Sequence, residues 1–209
     1  MTPPVLWSFR RCPYAMRARL AVASSRVQTE LREVVLRDKP QAFLEASPSA
    51  TVPCLITETE VIDESFDIML WALQQADPEG WLDMPEDGLA LIEICDGPFK
   101  TSLDHYKYPS RYDGIDADAE RSSAGRFLKD LNTQLGRQAY LFGDTPKLAD
   151  MAILPFARQF AHVDLEWFED QSWAAVLGWL DRFKSSDRFA GIMSKYPQWQ
   201  PGDPVTSFP

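Results

Sequence analysis

The sequence predicts two domains of different class: an α/β domain with a small mixed sheet over residues 1–77, and an all-helical domain over 88–209. Three observations carry this. Short apolar runs alternate with helix-like segments up to about residue 75. Turn chemistry then interrupts the chain at Asp77-Pro78-Glu79-Gly80 and at Met84-Pro85-Glu86-Asp87-Gly88, which places a linker there. Beyond that break, apolar residues recur at helical spacing.

Taken in order, Val5 to Phe9 reads as a strand. Pro13 to Ser25 reads as a helix, apolar on most sides except at Arg17 and Arg19, and so expected to be buried. Leu31 to Leu36, with Val34-Val35-Leu36, reads as a second strand. Pro40 to Ala46 forms a short helix that ends at Ser47-Pro48-Ser49. Pro53-Cys54-Leu55-Ile56 and Glu60-Val61-Ile62 read as a hairpin, and Ser65 to about Ala76 as the helix that follows. The order βαβ, helix, hairpin, helix implies a mixed sheet covered by helices.

In the second half, Leu89 to Tyr106 reads as one helix kinked at Gly97-Pro98. Ala124, Phe127, Leu128, Leu131 and Leu135 make a clean helical stripe. Two further helices run from Leu148 to about Phe160 and through Trp173, Val176, Leu177, Leu180 and Phe183. The tail from Pro197 to Pro209 holds four prolines and cannot be a regular helix.

Composition excludes several classes. The chain has 209 residues, a formal net charge of −10 and a pI near 4.7. That balance argues against nucleic acid and anionic membranes as partners. No apolar run reaches the roughly 20 residues of a spanning helix, and the N-terminus lacks a signal-peptide core. Three cysteines are too few and too odd a number for a secreted framework, so a reducing cytoplasm is expected. His105 and His162 have no cysteine or second histidine at ligand spacing, so no metal site is expected.

Cys12, in Arg10-Arg11-Cys12-Pro13-Tyr14-Ala15, is the candidate nucleophile. Pro13 suits the first helical position, where its missing N–H costs nothing. Cys12 then lies at the N-cap, facing backbone N–H groups and the positive end of the helix dipole. Arg10, Arg11, Arg17 and Arg19 add positive potential. These surroundings favour thiolate, the reactive form. Ala15 stands where a dithiol site would carry its second cysteine, so any disulfide of Cys12 needs a partner from elsewhere. Cys54 and Cys95 lie in apolar segments and are expected to be inert, unless Cys54 projects toward Pro13.

Two more segments complete the constellation. Thr51-Val52-Pro53 puts proline at a strand start, where a cis bond would turn the Val52 backbone outward to pair with an extended peptide. An ordinary trans proline opening an edge strand also suits this segment. At Asp63-Glu64-Ser65, Ser65 can cap the following helix, whose start would hold a carboxylate while Glu64 pairs with an amine. Plain helix capping accounts for the same residues.

Cys12-Pro13-Tyr14-Ala15, Val52-Pro53 and Glu64-Ser65, in this order and spacing, resemble the glutathione transferase family, and its cysteine-type, omega-like members in particular. The resemblance implies a thioredoxin-like N-terminal domain followed by an all-α domain. It implies a cis-proline at Pro53, a Val52 backbone that pairs with the cysteinyl part of glutathione, and Glu64 and Ser65 on the γ-glutamyl end. Lys39 resembles the family lysine that reaches the glycyl carboxylate, although it also reads as a solvated turn lysine. A homodimer is implied too. Where the family caps its buried second-domain helix with Ser or Thr, this chain has Lys147, three residues before Asp150, so the capping box is incomplete unless Thr145 substitutes.

A cysteine here changes the chemistry the resemblance implies. Cys12 would form a mixed disulfide with glutathione, the co-substrate and resolving thiol, and so transfer thiols or reduce small disulfides. Conjugation of glutathione to small electrophiles is the alternative, and a non-catalytic ligand-binding relative a third. A small hydrophobic or disulfide substrate is expected to bind between the domains, against Phe99, Tyr106, Tyr108 and Phe156 or Phe160.

Overall fold

The computed structural model describes residues 2–209. Contacts divide the chain into two compact units: everything up to Gly80 together with Ser186–Pro209, and Trp81–Ser185. The expected helical domain thus loses its last residues to the first unit. Those residues carry their apolar side chains to the sheet.

The first unit begins with strand β1 (Val5–Ser8), helix α1 (Pro13–Ser25), strand β2 (Thr29–Glu33), helix α2 (Gln41–Ala46), the hairpin β3 (Cys54–Ile56) and β4 (Val61–Ile62), and helix α3 (Ser65–Gln75). β1 and β2 run parallel, with Leu6 beside Leu31. β3 lies antiparallel to β1, with Trp7 opposite Cys54, and β4 antiparallel to β3. β2 ends earlier than its Val34-Val35-Leu36 run suggests. Its parallel partner stops at Ser8, whose carbonyl takes the Val34 N–H at 2.7 Å, and the chain then turns away. Pro13 starts α1, and Arg26, at φ 60°, ends it in the left-handed conformation.

The second unit is helical: α4 (Asp87–Ile94), α5 (Lys100–Lys107), α6 (Ala117–Leu135), α7 (Leu148–Ala161), α8 (Leu165–Glu169) and α9 (Ala174–Lys184). The kink expected at Gly97-Pro98 is a π-turn over Cys95–Phe99 that joins α4 to α5. Pro98 cannot donate to the preceding turn, and the wider π-turn absorbs the lost bond. Asp116 caps α6 through the N–H groups of Asp118 and Ala119. Its stripe of Ala124, Phe127, Leu128, Leu131 and Leu135 is buried. At α7, Asp150 Oδ2 accepts from the Lys147 N–H, and Oδ1 from the Leu141 N–H and Trp179 Nε1, each at 2.9 Å. The carboxylate side of the box therefore stands without a hydroxyl at the cap.

The chain returns through α10 (Asp187–Ile192), which packs on α1, and ends in β5 (Ser207–Phe208). β5 pairs antiparallel with β2, completing the sheet order β4-β3-β1-β2-β5. The tail avoids helix as its prolines require. Trp199 meets Trp7 edge-on at 5.1 Å, and the Arg32 guanidinium lies over both rings.

Candidate functional site

Sheet topology gathers the motifs. β1 and β2 end at the same edge because they are parallel. β3 begins there, and β4 ends there, because each is antiparallel to its neighbour. Cys12 follows β1, Lys39 follows β2, Val52-Pro53 precedes β3, and Glu64-Ser65 follows β4. Segments far apart in sequence thus share one edge of one sheet.

Cys12 is the N-cap of α1, with extended backbone and no side chain capping the helix. Its N–H donates to the Phe9 carbonyl at 3.0 Å, closing the turn after β1. Its half-buried thiol donates to the Val52 carbonyl at 3.7 Å. It packs against a cluster of Trp7, Val34, Phe43, Val52 and Cys54. The Val52–Pro53 bond is cis. The β1–β3 ladder stops at Cys54, so Val52 lies outside it.

The arginines divide. Arg11 is exposed, with its guanidinium over the Phe9 ring. Arg17 is buried, and its Nε donates to Ser65 Oγ at 2.9 Å while the Tyr14 and Phe66 rings flank it. Arg19 is fully buried near Glu33 on β2, with 3.9 Å between Nη1 and Oε2. Burial pushes the Arg19 guanidinium below its ordinary value, against the pull of Glu33, Tyr196 and Cys12. Burial raises the Glu33 carboxyl, against its bond from the Arg10 N–H and the charge of Arg19.

Ser65 does not cap α3. Glu64 is the N-cap, no side chain bonds there, and Ser65 is the first helical residue. Its hydroxyl is drawn inward to the buried Arg17, which leaves the helix start without a side-chain acceptor. Glu64 is exposed. Lys39 Nζ donates to the Ala50 carbonyl at 2.9 Å, two residues before Val52.

Asp63, to which the sequence assigns no role, ties two of these segments together. Its oxygens accept from Ser47 Oγ at 2.9 Å and the Ser49 N–H at 3.0 Å. Its bond with Cys54, added to burial, pushes that thiol up to about 12. Arg17 stands out in the sequence as a charge in an otherwise apolar helix, although its pairing with Ser65 does not; Glu33 and Trp199 have no local signal.

The aromatics expected as a substrate wall are placed differently. Phe99, Tyr106, Phe156 and Phe160 are buried in the core of the second unit, where Phe160 meets Phe99 at 5.9 Å and Tyr106 at 5.5 Å. Their mutual packing removes them from solvent. Tyr108 is half-buried, with the Arg111 guanidinium 4.0 Å from its ring centre.

A mixed sheet of this order, with the cysteine-capped helix after β1 and a cis-proline before β3, defines a thioredoxin-like domain; a helical unit follows it. Residues 6–80 match the family model "Glutathione S-transferase, N-terminal domain", and residues 116–200 match "Glutathione S-transferase, C-terminal domain". The chain belongs to the glutathione S-transferase family. It is 26% identical over 181 residues to glutathione S-transferase U22 of Arabidopsis thaliana, covering 79% of this chain and 73% of that one. Its fold is similar to that of glutathione transferase Omega 3C from Trametes versicolor, with a TM-score of 0.78, 15% identity and coverage of 95% and 92%. A family member from Pseudomonas fluorescens, solved with two glutathione bound, aligns with a TM-score of 0.78 at 14% identity, covering 91% of this chain and 92% of that one.

Proposed function

We propose that this protein is a glutathione transferase of the cysteine type, which uses Cys12 for thiol transfer through a mixed disulfide with glutathione. The observation that carries the reading is the Cys12 thiol at the N-cap of α1, 3.7 Å from the Val52 carbonyl. A nucleophile there lies beside a stretch of main chain outside the sheet ladder, against which a short peptide can extend. Family membership, and the glutathione in the Pseudomonas fluorescens relative, support a γ-glutamyl peptide as that ligand.

In this reading the Val52 main chain, followed by Pro53, pairs with the cysteinyl part of glutathione. The first turn of α3, from Ser65 onward, receives the γ-glutamyl carboxylate on its N–H groups. Glu64 pairs with the amine, and Lys39 leaves the Ala50 carbonyl for the glycyl carboxylate. Ser65 acts through its main chain, because Arg17 holds its hydroxyl.

The Cys12 thiolate attacks the glutathione sulfur of a mixed disulfide. A Cys12–glutathione disulfide forms, the substrate disulfide breaks, and the leaving thiolate takes a proton from solvent. The thiolate of a second glutathione then attacks that sulfur, giving oxidised glutathione and regenerating Cys12. One disulfide is thus exchanged for another: the substrate sulfur is reduced to a thiol, and the sulfur of the second glutathione is oxidised into the disulfide with the first. The second substrate is a small hydrophobic or disulfide compound. A cytoplasmic homodimer belongs to the same proposal, and sedimentation velocity reads the dimer.

The test is mass spectrometry after exposure to oxidised glutathione, with turnover of a glutathione mixed disulfide by wild type and Cys12→Ala. One glutathione on Cys12, removed by reductant, and loss of turnover in Cys12→Ala are expected. Conjugation of an electrophile that survives Cys12→Ala, without thiol transfer in wild type, overturns the reading in favour of a conjugating enzyme. Neither binding nor turnover would indicate a non-catalytic relative.

A further inference from the structure

The turn that presents Cys12 is held from below by two buried charges. Arg10 lies in that turn, and both polar groups of its main chain are taken. Its N–H donates to Glu33 Oε1 at 2.7 Å, and its carbonyl accepts from Arg19 Nη2 at 2.8 Å. Glu33 ends β2 and Arg19 lies in the middle of α1, so one pair joins strand, turn and helix. Arg19 is seven residues beyond Cys12, almost two full helical turns, and therefore on the same face of α1. Helical side chains lean toward the N-terminus, which brings the guanidinium back under the turn.

We propose that Arg19 and Glu33 are a positioning pair for Cys12: together they clamp the main chain of Arg10 on both sides, fixing the turn that aims the thiol at Val52, and Arg19 places a positive charge under the turn that carries the thiol. The proposal rests on Cys12 being the nucleophile, as argued above. A pair serving stability alone is costly here. Buried ion pairs are often matched or bettered by apolar side chains of like volume. The cluster also leaves Arg19 Nε and Nη1 and Glu33 Oε2 without a hydrogen bond. What an apolar pair could not do is bond both the N–H and the carbonyl of one residue or carry charge toward Cys12. The charged and titratable groups around Cys12 and its turn include Arg10 and Arg11 in it, Arg19 from α1, Glu33 from β2, Cys54 from β3 and Tyr196 from the returning tail.

The test follows the rate of Cys12 alkylation by iodoacetamide against pH, read by mass spectrometry, beside kcat and KM for a glutathione mixed disulfide. Arg19→Met removes the charge and is expected to raise the alkylation midpoint by about one pH unit, slowing alkylation at neutral pH about tenfold. Glu33→Gln keeps an oxygen for the Arg10 N–H but removes the charge that offsets Arg19, so the midpoint should fall. A merely structural pair would not move the two midpoints in opposite directions. In Arg19→Met, kcat should drop with KM for glutathione little changed.

If Arg19→Met does not fold, Arg19→Gln, which keeps an N–H donor for the Arg10 carbonyl but carries no charge, carries the test, with its midpoint raised. Midpoints that stay put, or move the same way, in folded variants overturn the clamp. Alkylation needs no turnover, so the two proposals fail separately. Shifted midpoints without Cys12-dependent turnover in wild type would overturn the function proposed above and support the clamp. Unshifted midpoints with Cys12-dependent turnover would overturn the clamp alone.

Discussion

Arg17 Nε donates to Ser65 Oγ at 2.9 Å, and both side chains are 98% buried, with 2% of each exposed. The bond ties the first turn of α3 to α1, little more than one turn beyond Cys12. Ser65→Ala takes one acceptor from a buried guanidinium. A loss of about 2 kcal/mol in urea unfolding is expected, as for a hydrogen bond to a charged group. Retention on glutathione resin should weaken, because the start of α3 loses its anchor. An unchanged urea midpoint would contradict the buried bond.

The three cysteines should separate by reactivity. Cys12 is half-buried, whereas Cys54 and Cys95 are buried. Burial, with the bond to Asp63, holds the Cys54 thiol up at about 12. Native protein at pH 8 is therefore expected to take one iodoacetamide adduct, on Cys12, and protein in urea three. A second adduct on the native protein would show Cys54 or Cys95 to be accessible.

Asp63 should link the loop before Val52 to acid stability. Burial works against its charge, but bonds from Cys54, Ser49 and Ser47 outweigh that and hold the carboxyl below its usual 3.8. A carboxyl depressed in the folded state stabilises it at pH values above the unfolded value. That contribution is lost as pH falls below 3.8 through the folded value. Asp63→Asn keeps the shape without the charge. Wild type should be the more stable at pH 7 in urea titrations, with the gap closing below about pH 4. A constant gap across that range would mean that the charge contributes nothing.

In the second unit, Asp150 carries three donors at full burial. Burial raises its carboxyl against bonds from the Leu141 and Lys147 N–H groups and Trp179. Asp150→Ala strands all three donors and should cost about 3 kcal/mol. Trp179 emission should shift on substitution, since its Nε1–H loses its acceptor. Alkylation of Cys12 should be unaffected in the folded variant.

Parts of the candidate site are legible in the sequence because their signals are local. Cys12-Pro13 marks a helix start by proline geometry alone, and that start is observed at Pro13. Val52-Pro53 left cis and trans open on its own residues, and the bond is cis. Ser65 has the sequence of a cap but is the first helical residue of α3. A serine after Asp-Glu looks the same from sequence whether its hydroxyl turns to its own helix or to an arginine 48 residues away.

Periodicity and turn chemistry by themselves determined the alternation of strands and helices, the helical second half, the stripe on α6 and the proline-bound ends of α1 and the tail. Each depends on neighbours a few residues apart. Only the tertiary structure decided that Ser207–Phe208 joins the sheet, that Trp199 covers Trp7, and that Arg19 and Glu33 meet at the main chain of Arg10. Those contacts join residues distant in the chain. Burial selects them, because a buried charge or an open strand edge must find a partner wherever the fold supplies one.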